Sequence, residues 1–181
     1  GELQTLLFGR VWVDPNDPAR IVAGLWNGLW VSSDGGGTWM LGAGGVDGVA
    51  VLGLRGDPSD SGTVWAATSG DGVWVSLDRG ASWEARSNGL ADPFVHDVAV
   101  DPTNPLRLVA AVVYGTVAAY YSTDRGLNWQ PANLPPSVGW ATSAAFSAEH
   151  AGRVLLGIST GVLVSSDGGQ FFASTALNGQ E

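Results

Sequence analysis

The stretch Ser76-Leu77-Asp78-Arg79-Gly80-Ala81-Ser82-Trp83 decides the fold of this 181-residue chain, because related copies of it recur. One copy precedes it at residues 32–39, and two follow at residues 122–129 and 165–172. Intervals of 44, 46 and 43 residues separate the aspartates of the four copies, Asp34, Asp78, Asp124 and Asp167. Self-similarity at an interval of about 20–50 residues is typical of repeat proteins, so we expect four copies of one structural unit.

The repeated motif resembles the Asp-box, or BNR, repeat, whose pattern is Ser-x-Asp-x-Gly-x-Thr/Ser-Trp. The first two copies match it fully, whereas the third has Asn128 at the Thr/Ser position and the fourth has Phe172 at the tryptophan position. In that family the box is a turn between the third and fourth strands of a β-propeller blade, away from binding sites. The resemblance implies a structural role for Ser32, Asp34, Gly36, Trp39, Ser76, Asp78, Gly80, Trp83, Ser122, Asp124, Gly126, Trp129, Ser165, Asp167 and Gly169.

The chemistry of the motif also favours a turn. An Asp side chain accepts hydrogen bonds from nearby backbone N–H groups, a glycine adopts positive φ, and an aromatic ring packs beneath the loop. Further turn pairs lie earlier in the repeats, at Asn27-Gly28, Asp71-Gly72 and Thr160-Gly161. The Asn-Gly and Asp-Gly pairs predict type I′ hairpin turns.

Three apolar runs precede each motif, and the third repeat shows them best, at Val95–Val100, 106–113 and 117–121. After the motif, Trp129 begins a predicted fourth strand. Near-continuous runs of Val, Leu and Ala are typical of strands that are covered on both faces. Residues 141–151 are rich in Ala, which favours a helix, but their register with the other repeats predicts a strand.

These patterns predict an all-β protein: a single domain, residues 1–181, folded as a β-propeller of four four-stranded antiparallel blades. The predicted blades cover residues of about 5–45, 46–92, 93–138 and 139–177. Because every blade is built from contiguous sequence, nothing in the pattern covers the outer sides of the first and last blades. We therefore expect an open arc that belongs to a larger ring, completed by further blades of a longer chain or by a second copy in a homodimer.

Composition limits the classes of partner. The net charge of −9 and pI of about 4.4 argue against nucleic acid, whose backbone requires a basic surface. No apolar run approaches the roughly 18 residues of a membrane-spanning helix, so we predict no membrane insertion. The chain has no Cys and only two His, and we predict neither a metal site nor a cofactor.

Catalytic patterns are weak. Residues 157–161 match the G-x-S-x-G nucleophile motif, but they fall in a predicted hairpin, whereas that motif requires a following helix. Glycoside hydrolysis requires two suitably spaced carboxylates, and no convincing pair is found. His96 beside Asp97 is either a catalytic pair or, as we favour, a satisfied polar pair near the channel mouth. The chain is therefore interpreted as non-catalytic rather than as an enzyme; if it is one, it is a glycoside hydrolase.

A binding surface remains as the best functional hypothesis. The candidate ligand-binding residues do not recur between repeats and fall opposite the boxes or near the channel: Trp26, Tyr114, Trp140, Arg10, His96 and Asp97. Aromatic side chains there could stack on a carbohydrate or a protein partner, or pack locally between blades. We expect an extracellular or periplasmic binding or scaffold module. The resemblance leaves two alternatives: a fragment of a xyloglucanase-type glycoside hydrolase, and an assembly factor like the propellers that help to build photosystem II.

Overall fold

The computed structural model describes residues 9–115, 117–136 and 138–175. Its strands form four antiparallel sheets, each made of four consecutive strands. The first blade contains β1 (Arg10–Asp14), β2 (Asp17–Leu25), β3 (Gly28–Ser32) and β4 (Met40–Leu41). The second contains β5 (Val51–Asp57), β6 (Asp60–Thr68), β7 (Val73–Ser76) and β8 (Glu84–Ala85). The third contains β9 (Val95–Val100), β10 (Leu108–Val112), β11 (Ala119–Ser122) and β12 (Gln130–Pro131). The fourth contains β13 (Ala141–Phe146), β14 (Val154–Ile158), β15 (Gly161–Ser165) and β16 (Ala173–Ser174).

The predicted all-β architecture of four four-stranded antiparallel blades is confirmed. The Ala-rich segment after residue 140 is a strand, as its register predicted, and the outermost strands are only two residues long. The predicted strand 117–121 begins two residues later, at Ala119. Residues 5–8 of the predicted first blade and 176–177 of the fourth lie outside the described residues. The described residues include no helix long and apolar enough to cross a membrane.

The strand ladders give each residue a counterpart in the other blades. The serine that opens each turn pairs with the second strand of its blade, in the pairs Ile21–Ser32, Val64–Ser76, Leu108–Ser122 and Val154–Ser165. Residues at the same distance from these pairs occupy the same place in each blade. We refer to them below as counterparts.

Buried apolar clusters fill the three spaces between successive blades. Val22 and Leu54 belong to the cluster between the first and second blades, and Trp65 and Val98 to the one between the second and third. Leu156 belongs to the cluster between the third and fourth. Each fully buried Val or Leu side chain stabilises the fold by about 1.5–3 kcal/mol, so the blades are held together chiefly by these face-to-face contacts.

Each segment that leaves a blade also bonds to the turn of the next blade. The Trp83 amide donates to the Ala43 carbonyl at 2.8 Å, and Ala43 and Ser82 form a parallel bridge. The same bond joins Trp129 to Asn88 at 2.8 Å and Phe172 to Asn133 at 2.9 Å. These backbone bonds fix how far each blade is rotated relative to its neighbour.

The predicted type I′ turns are wrong. Because Leu25 pairs with Gly28, the two loop residues are Trp26 and Asn27, and neither has a positive φ. Gly28 follows them with φ of +128°, and a Cβ there would lie 2.4 Å from the Val46 carbonyl oxygen. The second pair fails likewise, since Gly72 has a positive φ and the residue before it does not. At Gly28, the glycine is required by close approach of a neighbouring segment rather than by the turn type.

Candidate binding site

Three of the four innermost strands carry a β-bulge at the same place. In β5, Val51 pairs with Thr68 and Gly53 with Ala67, so that Leu52 has no partner across the ladder. The equivalent shifts in β9 and β13 fall at the counterparts His96 and Thr142. Bulges redirect side chains and are common beside functional sites. Here they place three side chains in a groove at the blade ends opposite the Ser-x-Asp turns (residues 32–39, 76–83, 122–129 and 165–172).

The groove has a volume of about 500 Å3. Three residues predicted to bind ligand, His96, Tyr114 and Trp140, line it. The remaining lining residues were not predicted from the sequence: Leu52, Ser69, Phe94, Val113 and Thr142. No carboxylate occurs among the eight described residues that line it, so the groove walls are apolar, aromatic and neutral polar when His96 is uncharged.

Tyr114 is the most unusual residue of the groove. Its side chain is 82% exposed, and its backbone has φ of +72°, a left-handed conformation that costs an L-residue of this size about 1–2 kcal/mol. The ring of Phe94 meets it edge-to-face, with centroids 6.0 Å apart and planes at 89°. The Val113 amide donates to the Phe94 carbonyl at 3.1 Å and holds the two segments together. An exposed aromatic ring is thus held in a strained and well-defined position.

His96 presents a hydrogen-bond acceptor to the groove. Its Nδ1 lies 2.8 Å from the carbonyl oxygen of Thr142 in the next blade. A carbonyl oxygen only accepts, so Nδ1 carries the hydrogen and Nε2 of the neutral ring is an acceptor. Within the described part of the chain no group hydrogen-bonds to Nε2. The groove therefore combines exposed aromatic surfaces with an acceptor suited to an N–H or O–H donor.

Asp97 lies beneath the groove and joins three blades. One carboxylate oxygen accepts from Arg55 Nη2 at 3.0 Å and from the Ala144 amide at 3.2 Å, and the other accepts from the Val98 amide at 3.1 Å. The side chain is only 4% exposed. Its hydrogen-bonding capacity is used within the fold, so the structure places Asp97 where it positions the strands around His96.

Trp26 and Arg10 lie away from the groove lining. Trp26 is exposed in the first-blade hairpin, where its counterparts are Ser69 and Val113 of the groove. Arg10 is the exposed first-blade counterpart of Asp97. Both belong to the same end of the molecule as the groove. The structure does not bring them together with Tyr114 and Trp140.

The four Ser-x-Asp turns lie at the opposite end and share one hydrogen-bond pattern. In the first, Ser32 Oγ donates to Asp34 Oδ1 at 2.7 Å and accepts from the Gly36 amide at 2.9 Å. The Thr38 amide and hydroxyl both donate to the Asp34 carboxylate, at 2.8 Å and 2.7 Å. In the third turn Asn128 Nδ2 replaces the hydroxyl, and in the fourth the amides of Gln170 and Phe171 donate to Asp167. The hydrogen bonds of all four aspartates are directed into their own turns.

These hydrogen bonds favour the ionised aspartates. The Thr38 amide, the Thr38 hydroxyl and the Ser32 hydroxyl lower the pKa of Asp34 to about 2. Burial raises the pKa of Asp78, Asp124 and Asp167, but hydrogen bonds outweigh it, and each pKa is lowered. A carboxylate whose pKa is lower in the folded state stabilises the fold above its unfolded pKa, and this contribution is lost as the pH falls through the folded value.

We therefore expect the melting temperature to fall steeply as the pH is lowered from about 4 to about 2. The unfolded aspartates bind protons near their ordinary pKa of 3.8, before the folded ones do. Differential scanning calorimetry across this range measures the effect. Asp34→Asn should make the fall shallower, because one of the four turn carboxylates no longer titrates. A melting temperature that stays constant down to about pH 2.5 would contradict this role of the aspartates.

The fold and the groove place the chain in the class of β-propeller proteins. The family model described as sortilin, neurotensin receptor 3 (Sortilin-Vps10) matches residues 27–138, which is more than half of the chain. The chain belongs to this family. No curated protein is significantly similar to it in sequence.

Solved structures share the fold at low sequence identity. An ancestral GH74 enzyme has 22% identity and a TM-score of 0.68, and the match covers 86% of this chain and 23% of the enzyme chain. YCF48 bound to D1 peptide has 21% identity and a TM-score of 0.60, and the match covers 95% of this chain and 54% of the YCF48 chain. The GH74 xyloglucanase from Xanthomonas campestris has 16% identity and a TM-score of 0.54, and the match covers 93% of this chain and 38% of the xyloglucanase chain. The chain thus spans between a quarter and about half of the length of these proteins.

Proposed function

We propose that the chain is a non-catalytic binding module that holds an extended segment of a partner protein in the groove. The observation that carries this proposal is the strained, exposed Tyr114 ring standing beside Phe94, Trp140 and His96. Exposed aromatic side chains supply large contact areas at a small entropic cost and dominate many binding interfaces. His96 Nε2 adds an acceptor for a backbone N–H of the bound segment.

The similarity in fold to YCF48, whose solved structure contains a bound peptide, supports a protein partner. The neutral groove walls support binding over hydrolysis, since glycoside hydrolysis requires two carboxylates near the bond to be broken. We also propose that the four Ser-x-Asp turns are Asp boxes with a structural role, since their hydrogen bonds are directed into the turns.

A carbohydrate partner is the second candidate. The GH74 enzymes share the fold, and the exposed faces of Tyr114 and Trp140 are flat apolar surfaces on which a sugar ring can stack. Either ligand can donate to His96 Nε2, a sugar through a hydroxyl and a peptide through a backbone N–H. The two candidates are therefore distinguished by which kind of probe binds.

Titration with two probe sets tests the proposal. The intrinsic tryptophan fluorescence of the chain is followed during addition of short synthetic peptides and, separately, of soluble xyloglucan oligosaccharides. For a peptide that binds, Tyr114→Ala and Trp140→Ala are each expected to raise the dissociation constant by about 10-fold or more, because each removes a central aromatic contact. His96→Phe should also weaken the probe that binds, because it removes the acceptor at Nε2.

Leu77→Ala is the matched control, because Leu77 is an exposed apolar residue on a turn at the opposite end of the blades. Trp26→Ala tests whether the first-blade hairpin also contacts the ligand. A loss of affinity equal to that caused by Tyr114→Ala would show that the binding surface extends to that blade. Binding that survives both Tyr114→Ala and Trp140→Ala would remove the groove as the site. Release of reducing sugars from xyloglucan would show that the chain is a hydrolase and would contradict the proposal of a non-catalytic binding module.

A further inference from the structure

The outer side of the first blade exposes apolar residues whose counterparts are buried elsewhere. Val11 is 64% exposed, whereas its counterparts Leu54 and Val98 are 4% and 0% exposed beneath the preceding blade. Val13 is exposed on the same side. Trp39 is partly exposed, while the equivalent turn residue Trp83 is buried. We call this surface the leading face.

The outer side of the fourth blade, at the other end of the array, also exposes apolar residues whose counterparts are buried. Leu155 is 44% exposed, although its counterparts Val22, Trp65 and Val109 are almost fully buried beneath the following blade. A depression of about 570 Å3 lies on this side and is lined in part by Val164 and Phe171. We call this surface the trailing face. End repeats of stable arrays normally have polar outer sides, so both faces indicate a missing neighbour.

The internal junctions show what such a neighbour looks like. The second-strand residue of one blade packs on the turn glycine of the next: a Cβ on Gly80 would lie 2.4 Å from Val22 Cγ2, and one on Gly169 would lie 2.3 Å from Val109 Cγ2. In the first turn, a Cβ on Gly36 would meet only residues of its own blade. Leu155 and Gly36 therefore occupy, on the two outer faces, the positions that form this contact at the internal junctions.

The ion pairs near the internal junctions provide a second comparison with the two outer faces. At the first junction Arg79 Nε lies 3.4 Å from the buried carboxylate of Asp14, and at the second Arg125 Nη2 lies 3.4 Å from that of Asp57. At the third, the fourth-blade turn has a glycine and Arg107 of the third blade itself lies 3.8 Å from Asp101.

The leading face has Gly35 at the arginine position, and the trailing face has Ser147 at the aspartate position. Ser147 Oγ accepts from the amides of Glu149 and His150, so that the turn is closed without a carboxylate. When the two faces meet, neither a buried aspartate nor its arginine is left without a partner, which would otherwise cost several kcal/mol.

We propose that the leading face of one copy docks on the trailing face of a second copy, and that two copies close an eight-bladed ring in this way. The two junctions of such a ring are identical, because a two-fold axis along the channel relates them. Eight blades lie within the range over which propellers close. The occupant of each exposed face is thus the opposite end of a second copy of the chain.

Sedimentation velocity and light scattering on the 181-residue chain, over a range of concentrations, test the proposal. A reversible dimer is expected. Leu155→Glu should raise its dissociation constant by at least about 100-fold, because it places a charge against the apolar leading face. Leu77→Glu changes another exposed leucine, which lies away from both faces, and should leave the dimer unchanged.

A charge pair transplanted from the first junction gives an independent test. Ser147→Asp alone should weaken the dimer by about 10-fold or more, because it buries an unpaired carboxylate, and adding Gly35→Arg should restore it. Arginine fits at position 35, since Arg79 and Arg125 occupy the equivalent place with φ of 60° and 59°, close to the 71° of Gly35.

Three results would overturn the proposal. The first is a chain that stays monomeric at every concentration. If Leu155→Glu lowers the melting temperature of such a monomer, residues of the same molecule cover the trailing face. The second is a dimer that Leu155→Glu does not weaken. The third is growth into longer polymers, which would show that the two faces meet without closing a ring.

Discussion

Gly44→Ala is expected to lower the free energy of unfolding by about 4 kcal/mol, the largest effect we expect of any single methyl group. Gly44 has φ of +112°, and a Cβ there would lie 2.1 Å from the Trp83 carbonyl oxygen. The Trp83 backbone cannot move aside, because its amide is bonded to the Ala43 carbonyl at 2.8 Å. The methyl group therefore has to break the bond between the first and second blades.

Gly48→Ala is the matched control for this effect. Gly48 also has a positive φ, of +76°, but a Cβ there would meet nothing within 4 Å. Its substitution should cost about 1 kcal/mol, which is the backbone strain alone. Urea denaturation of both variants measures the difference. Equal losses in the two variants would show that the approach of Gly44 to Trp83 contributes nothing beyond backbone strain.

Gly89 extends the same argument to the second junction. It has φ of +91°, and a Cβ there would lie 2.2 Å from the Trp129 carbonyl oxygen. Because the third junction has Asn133 bonded to Phe172 in the same manner, one backbone contact recurs wherever two described blades meet. The repeated motif of the sequence is therefore half of a junction, whose other half is the segment that leaves the preceding blade.

The four motif copies made the architecture predictable because each motif fixes the position of one turn. Strand positions followed from their distance to that turn, which is why residues 141–146 were correctly predicted as a strand despite their Ala content. The short outer strands were less predictable. Each has only two paired residues, and after such a turn a two-residue strand has no apolar pattern of its own.

The groove was only partly predictable, because its shape depends on pairing between strands. Tyr114 and Trp140 were found as aromatic residues without counterparts, and the structure places both in the groove lining. Leu52 and Thr142 reach the groove through bulges, and a bulge is a shift in register that no single strand reveals. Phe94 follows a proline next to a predicted strand, and that position was the only available signal for it.

Asp97→Ala is expected to lower the free energy of unfolding by about 2–4 kcal/mol. The substitution removes the carboxylate acceptor of the buried Ala144 and Val98 amides and leaves Arg55 without its partner, and these losses together remove a link between three blades. Arg55 is about half exposed and regains water, so the loss should lie below that of a fully buried ion pair. Chemical denaturation measures the change.

Arg55→Ala separates the ion pair from the amide contacts. It removes the cation but keeps the acceptor for both amides, so its cost should be smaller than that of Asp97→Ala, and the double variant should show coupling between the two sites. Gly53 is the reason the carboxylate fits, since a Cβ there would lie 3.1 Å from Asp97 Oδ1. An Asp97→Ala variant whose free energy of unfolding is unchanged would contradict this assignment, because the strands that position His96 would then not depend on the carboxylate.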